Sequence, residues 1–101
     1  MNTINPEELK KRLDAGDSVH LVDVREPSEH AEFNIGGLLY PLGKIRELDL
    51  AGLEPMKDDE IILYCRSGNR SGQACLMLES MGYRKVVNLS GGMLAWREKY
   101  S

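Results

Sequence analysis

The apolar positions along the chain fall into short blocks that alternate between a helical and an extended period. Asn5-Pro6-Glu7-Glu8 predicts a helix start, with Asn5 as cap, Pro6 at the first helical position and two acids at the positive end of the dipole. Leu9 and Leu13 give that helix its apolar stripe, and Gly16 ends it. Val19 to Val24 (VHLVDV) is β-branched and mostly apolar, the pattern of a strand buried on both faces, with His20 inside it. Leu38 to Leu42 predicts a weaker strand between Gly37 and Gly43. Ile61 to Tyr64 predicts a stronger one, preceded by the acidic stretch 57–60, which reads as a solvated turn. Residues 70–81 predict a helix with Ala74, Cys75, Leu78 and Met81 on one face and Gly82 as its stop. Val86 to Leu89 is a last strand, and Gly91-Gly92 leads into a final amphipathic helix packed through Leu94, Ala95 and Trp96.

Short strands alternating with helices imply an α/β fold, a parallel sheet with helices on both faces. Reactive groups in such sheets gather at the carboxyl ends of the strands. Three places therefore matter: the residues after Val24, after Tyr64 and after Leu89. Composition narrows the chemistry. The chain has 101 residues, net charge -3 and 42% hydrophobic content, which fits one domain over 1–101. No apolar run is long enough to span a membrane, and no basic cluster points to nucleic acid. The first residues show no secretory pattern, so the expected location is cytoplasmic. Two cysteines in that setting favour thiol chemistry or core filling over a disulfide scaffold.

The segment after Tyr64 reads Cys65-Arg66-Ser67-Gly68-Asn69-Arg70-Ser71. A thiol ends a buried strand, a short glycine-containing loop follows, and a helix starts at once. This pattern predicts a nest of backbone N–H groups aimed at the sulfur, with the positive end of a helix dipole behind it. Both favour thiolate over thiol, and Arg66 and Arg70 add positive charge. The same N–H groups suit an anion brought to the sulfur, or a terminal sulfur carried on it. Gly68 lets the loop close, while Ser67, Asn69 and Ser71 offer further donors. A cysteine ending a core strand is often mere packing. Its place among donors and two arginines points instead to function.

At this point the chain resembles the single-domain rhodanese family of thiosulfate sulfurtransferase-like proteins. Three blocks carry the resemblance: Leu21 to Pro27 (LVDVREP) with Glu29 and Phe33; the Cys65 to Ser71 loop; and Gly82-Tyr83, Val86, Leu89, Gly91-Gly92 and Trp96. Between the first two, Asn34 stands where the family often has histidine, and the run from Gly37 to Pro41 is one residue short. The resemblance implies a three-layer α/β/α fold with a five-stranded parallel sheet in the order 1-5-4-2-3. It also implies sulfur transfer through a Cys65 persulfide, from thiosulfate or another persulfide donor to a thiol, cyanide or protein acceptor, with no metal or organic cofactor. Arg66 to Ser71 would hold the substrate, and Asp23, Arg25 and Glu29 would tie loops together beside the site.

Rival readings remain in view. The fold also resembles the cell-cycle dual-specificity phosphatases, whose loop is C-x5-R. Here four residues separate Cys65 from Arg70, and Ser71 occupies the C-x5-R position. A binding module would be marked by loss of the nucleophile, which is present, and a redox sensor would use the same low-pKa thiolate. Cys75 reads as a small core residue on the following helix, and neither His20 nor His30 has metal-ligand spacing to a partner. Gly91-Gly92 lacks the G-x-G-x-x-G spacing of a dinucleotide loop, and reads as permitting close backbone approach beside Cys65.

Overall fold

The computed structural model describes residues 1–100. In chain order its elements are β1 (Asn2–Ile4), α1 (Pro6–Asp14), β2 (His20–Asp23), α2 (Pro27–Glu32), β3 (Leu38–Leu39), α3 (Leu42–Arg46), a 3-10 turn (Glu54–Met56), β4 (Glu60–Tyr64), α4 (Asn69–Ser80), β5 (Lys85–Leu89) and α5 (Gly92–Tyr100). The strands form one parallel sheet in the order β1-β5-β4-β2-β3, as the resemblance implied.

Alternation along the strands sends side chains to two buried faces. Val22, Val24, Ile61, Leu63 and Val86 pack against Leu42 and Ile45 of α3 and Ala74 and Leu78 of α4. Leu21, Ile62, Tyr64, Val87 and Leu89 pack on the opposite side against Leu9 of α1 and Met93 and Trp96 of α5. The sheet register aligns Asp23 with Tyr64 and Leu63 with Asn88, so the ends of β2, β4 and β5 open on a common edge. Asn5 caps α1 as expected, in a reciprocal capping box with Glu8.

Several local expectations need correcting. The strand read over Leu38 to Leu42 stops at Leu39, because this edge strand pairs with β2 only at Val22 and Asp23; Leu42 instead opens α3 and buries beneath it. His20 is exposed at the mouth of β2, with Nε2 3.3 Å from Asp59. Glu60 is the first residue of β4 and its carboxylate takes Arg12 at 2.7 Å, so the acidic stretch is partly structural. In α5 the helical phase buries Met93 and Trp96 and leaves Leu94 half exposed.

Candidate active site

Cys65 follows the last residue of β4 and is wholly buried. The chain then reverses through Gly68, whose φ of +97° is the left-handed conformation that glycine adopts without strain. Helix α4 starts at the next residue with no side-chain cap. The sulfur takes that role. The Gly68 N–H donates to Sγ at 3.1 Å and the Ser71 N–H at 3.4 Å, while the Ser71 hydroxyl lies 3.3 Å away. The Gly68 and Ser71 N–H groups at a helix start, and the positive end of its dipole, thus face one thiol.

The loop carbonyls point elsewhere. Cys65 O accepts from the Met93 N–H and Arg66 O from the Leu94 N–H, both at 2.9 Å, so the first turn of α5 takes two of them. Gly68 O accepts from Asn88 Nδ2 at 3.0 Å. This approach requires a glycine at 92, where a Cβ would meet Cys65 O at 2.4 Å and the Arg66 carbonyl carbon at 2.7 Å. With these carbonyl oxygens engaged by other donors, the polar groups that face Sγ are hydrogen-bond donors. Burial pushes the thiol up, but the Ser71 hydroxyl and the N–H groups of Ser71, Gly68 and Ser67 outweigh it, leaving Cys65 below the ordinary thiol value.

A layer of ion pairs braces the loop. Arg70 holds Glu29 in a two-pronged pair, with both N···O distances 2.9 Å. That bond is the main reason the Glu29 carboxyl lies at about 2. Asp23 is fully buried; it accepts from Arg25 Nε at 2.9 Å and Nη2 at 2.8 Å, and from the Arg25 N–H at 3.0 Å. His30 Nδ1 lies 2.8 Å from the same carboxylate, and Arg25 also donates to Phe33 O at 2.6 Å. Burial pushes Asp23 up, yet these partners hold it below the usual carboxylate value. Together the pairs tie the end of β2 and helix α2 to the start of α4.

The structure thus gathers Asp23, Arg25, Glu29, Arg70 and Ser71 around the Cys65 loop. Arg66, Ser67 and Asn69 are exposed on that loop. Arg66 lines a cavity of about 130 Å³ together with Arg25, Glu29, Phe33, Leu94 and Arg97. A larger open cleft of about 730 Å³ lies along β1, beside Lys11, Arg12 and Glu60; none of the loop residues lines it, so the chemistry points away from the larger space. Among the described residues no group of three or more His, Cys, Asp and Glu side chains is arranged to hold a metal ion. Two residues at the site escaped the sequence reading: His30, through its bond to Asp23, and Asn88. The only signal for Asn88 is a polar residue interrupting the apolar strand VVNL.

This combination of fold and loop has counterparts. The rhodanese-like domain family matches residues 5–99, and the chain belongs to it. A sulfurtransferase of Allochromatium vinosum is 42% identical over 97 residues, which cover 95% of this chain and 88% of that one. The putative sulfur carrier protein YrkF of Bacillus subtilis is 35% identical over 97 residues; they cover 95% of this chain but only 51% of YrkF, so this chain spans about half of that longer relative. The crystal structure of a rhodanese-like domain protein from Staphylococcus aureus superposes with a TM-score of 0.82 at 34% identity, covering 95% of this chain and 91% of that one. Sulfurtransferase is the activity class that these likenesses support.

Proposed function

We propose that the protein carries one sulfane sulfur as a persulfide on Cys65, taking it from thiosulfate or a related persulfide donor and passing it to a thiol, cyanide or protein acceptor. The Cys65 thiolate attacks the outer sulfur of thiosulfate, a new S–S bond forms, and sulfite leaves with the electron pair of the old one. An acceptor thiolate then attacks the terminal sulfur, leaves with it as its own persulfide and returns Cys65 as thiolate. The observation that carries this reading is the convergence of the Gly68 and Ser71 donors on Sγ while the Cys65, Arg66 and Gly68 carbonyls are engaged by other donors. Those donors suit the single negative charge of a terminal sulfur. Arg66 at the exposed mouth and Arg70 behind the loop draw in the anionic donor. Asp23, Arg25 and Glu29 hold the loop in place.

The test is the intact mass of purified protein before and after thiosulfate, with Cys65→Ser alongside. The wild type gains one sulfur atom, which cyanide removes, and the variant gains none. If thiosulfate loads nothing, polysulfide is tried, and loading there reassigns the donor. Two blanks, or loading of Cys65→Ser at equal extent, would overturn the persulfide mechanism and favour docking or redox sensing.

A further inference from the structure

Asn88 stands in β5, in register with Leu63 on one side and Thr3 on the other, and makes two bonds across the carboxyl edge of the sheet. Its Nδ2 donates to Gly68 O at 3.0 Å, and its Oδ1 lies 2.5 Å from Ser71 Oγ. The first bond fixes which way the amide faces, since the flipped amide would set two oxygens against each other. Oδ1 has no proton, so the Ser71 hydroxyl is the donor in the second. That hydroxyl has only one proton, and Sγ of Cys65 lies 3.3 Å from the same oxygen. Sulfur and Asn88 therefore compete for it.

The outcome depends on what the sulfur carries. As a thiol, Cys65 has its own proton and donates to Ser71 Oγ, giving a directional chain from S–H through Ser71 O–H to Asn88 Oδ1. As a thiolate it has none, and the Ser71 hydroxyl satisfies it only by turning about its Cβ–Oγ bond and leaving Asn88. In a persulfide the charge moves to the terminal sulfur, Sγ becomes neutral, and the hydroxyl returns to Asn88. We propose that Asn88 is a positioning residue for the nucleophile: it competes with Sγ for the Ser71 proton, opposing the free thiolate but not the thiol or the persulfide. Its consequence for turnover rests on the reading of Cys65 as a sulfur carrier. An empty thiolate that must draw the Ser71 proton away from Asn88 is less stabilised and so a stronger nucleophile, and the loaded state is favoured relative to it.

The test reads the thiol itself. The rate of iodoacetamide alkylation at Cys65 is followed against pH in wild type, Asn88→Ala, Ser71→Ala and the double variant, with the modified residue located by peptide mass. Freed from Asn88, the Ser71 hydroxyl donates to sulfur, so Asn88→Ala moves the midpoint about 0.5–1 pH unit lower, the effect of one hydrogen bond. In the Ser71→Ala background the same substitution moves it negligibly. A merely structural role predicts the opposite sign: losing the clamp on Gly68 O loosens the Gly68 N–H from sulfur and raises the midpoint. An unchanged or raised midpoint in Asn88→Ala overturns the proposal, as does an equal fall without Ser71. Asn88→Leu, close in volume, is measured in parallel with the same expectation, so that a folding defect in the alanine variant does not decide the matter. Alkylation needs no sulfur donor. Failure here with normal sulfur loading removes only the role of Asn88, whereas failed loading with the predicted shift removes only the carrier reading.

Discussion

Two cysteines ten residues apart meet opposite surroundings. Cys65 faces converging donors that lower its pKa, whereas Cys75 sits on the buried face of α4. Burial, and after it the charge of Glu79, push that second thiol up to about 12. Thiolate is the reactive form. Near neutral pH, iodoacetamide is therefore expected to modify Cys65 in the folded protein more than about tenfold faster than Cys75. In urea both should react alike. Peptide mass mapping over time checks this, and similar native rates would mean the donors around Cys65 do not act as described. The loop itself was legible because strand, glycine and helix start are adjacent in sequence. The braces were not: Glu29 and Arg70 lie 41 residues apart, and only the likeness to a family paired their regions. His30 and Asn88 lie further still from any readable pattern, since their roles arise from partners that only the fold supplies.

At the scale of elements, the site is a contact between the start of one helix and the backbone of another element's loop. Helix α5 reaches the Cys65 and Arg66 carbonyls with its first amides, and Gly92 is where the two backbones meet. Its φ of +54° already disfavours a side chain by about 1–2 kcal/mol. A Cβ there also meets backbone atoms that cannot rotate away. Gly92→Ala should therefore lower stability by more than about 2 kcal/mol and displace the loop, cutting sulfur loading together with the reactivity of Cys65. Urea denaturation and alkylation rate measure the two effects, and unchanged values in both would show that α5 does not hold the loop. Sequence pattern found those elements with a periodic buried face: α1, α4, α5 and the central strands. It missed α2, which buries no residue and so has no apolar stripe. It misassigned the start of α3, because five residues, LGKIR, are too few to show a helical period. Strand β1 offers only Ile4 to the core, so it was legible only through the family likeness.

Over the whole molecule, the carboxyl edge of the sheet concentrates opposite charges that must stay ionised to hold it together. Glu29 ionises at about 2 in the folded protein against an ordinary 4.5, and Asp23 is also held below its usual value. A carboxyl whose pKa falls on folding stabilises the protein above its unfolded value and loses that effect as pH drops toward the folded one. The native state should therefore weaken between about pH 4.5 and 2, from this edge inward. Glu29→Gln separates the contribution of one pair. At neutral pH the variant should unfold at lower urea than wild type; the gap should narrow as pH falls below 4.5 and close as pH falls through about 2, where wild-type Glu29 itself takes up a proton. A gap independent of pH would mean that the side chain acts by shape and not by charge. The same titration bears on the site, because among the described residues Arg70 is hydrogen-bonded to α2 through Glu29. When that carboxylate is neutralised, the first turn of α4 loses its tie to α2, and the Ser71 donors that face the sulfur lie in that turn.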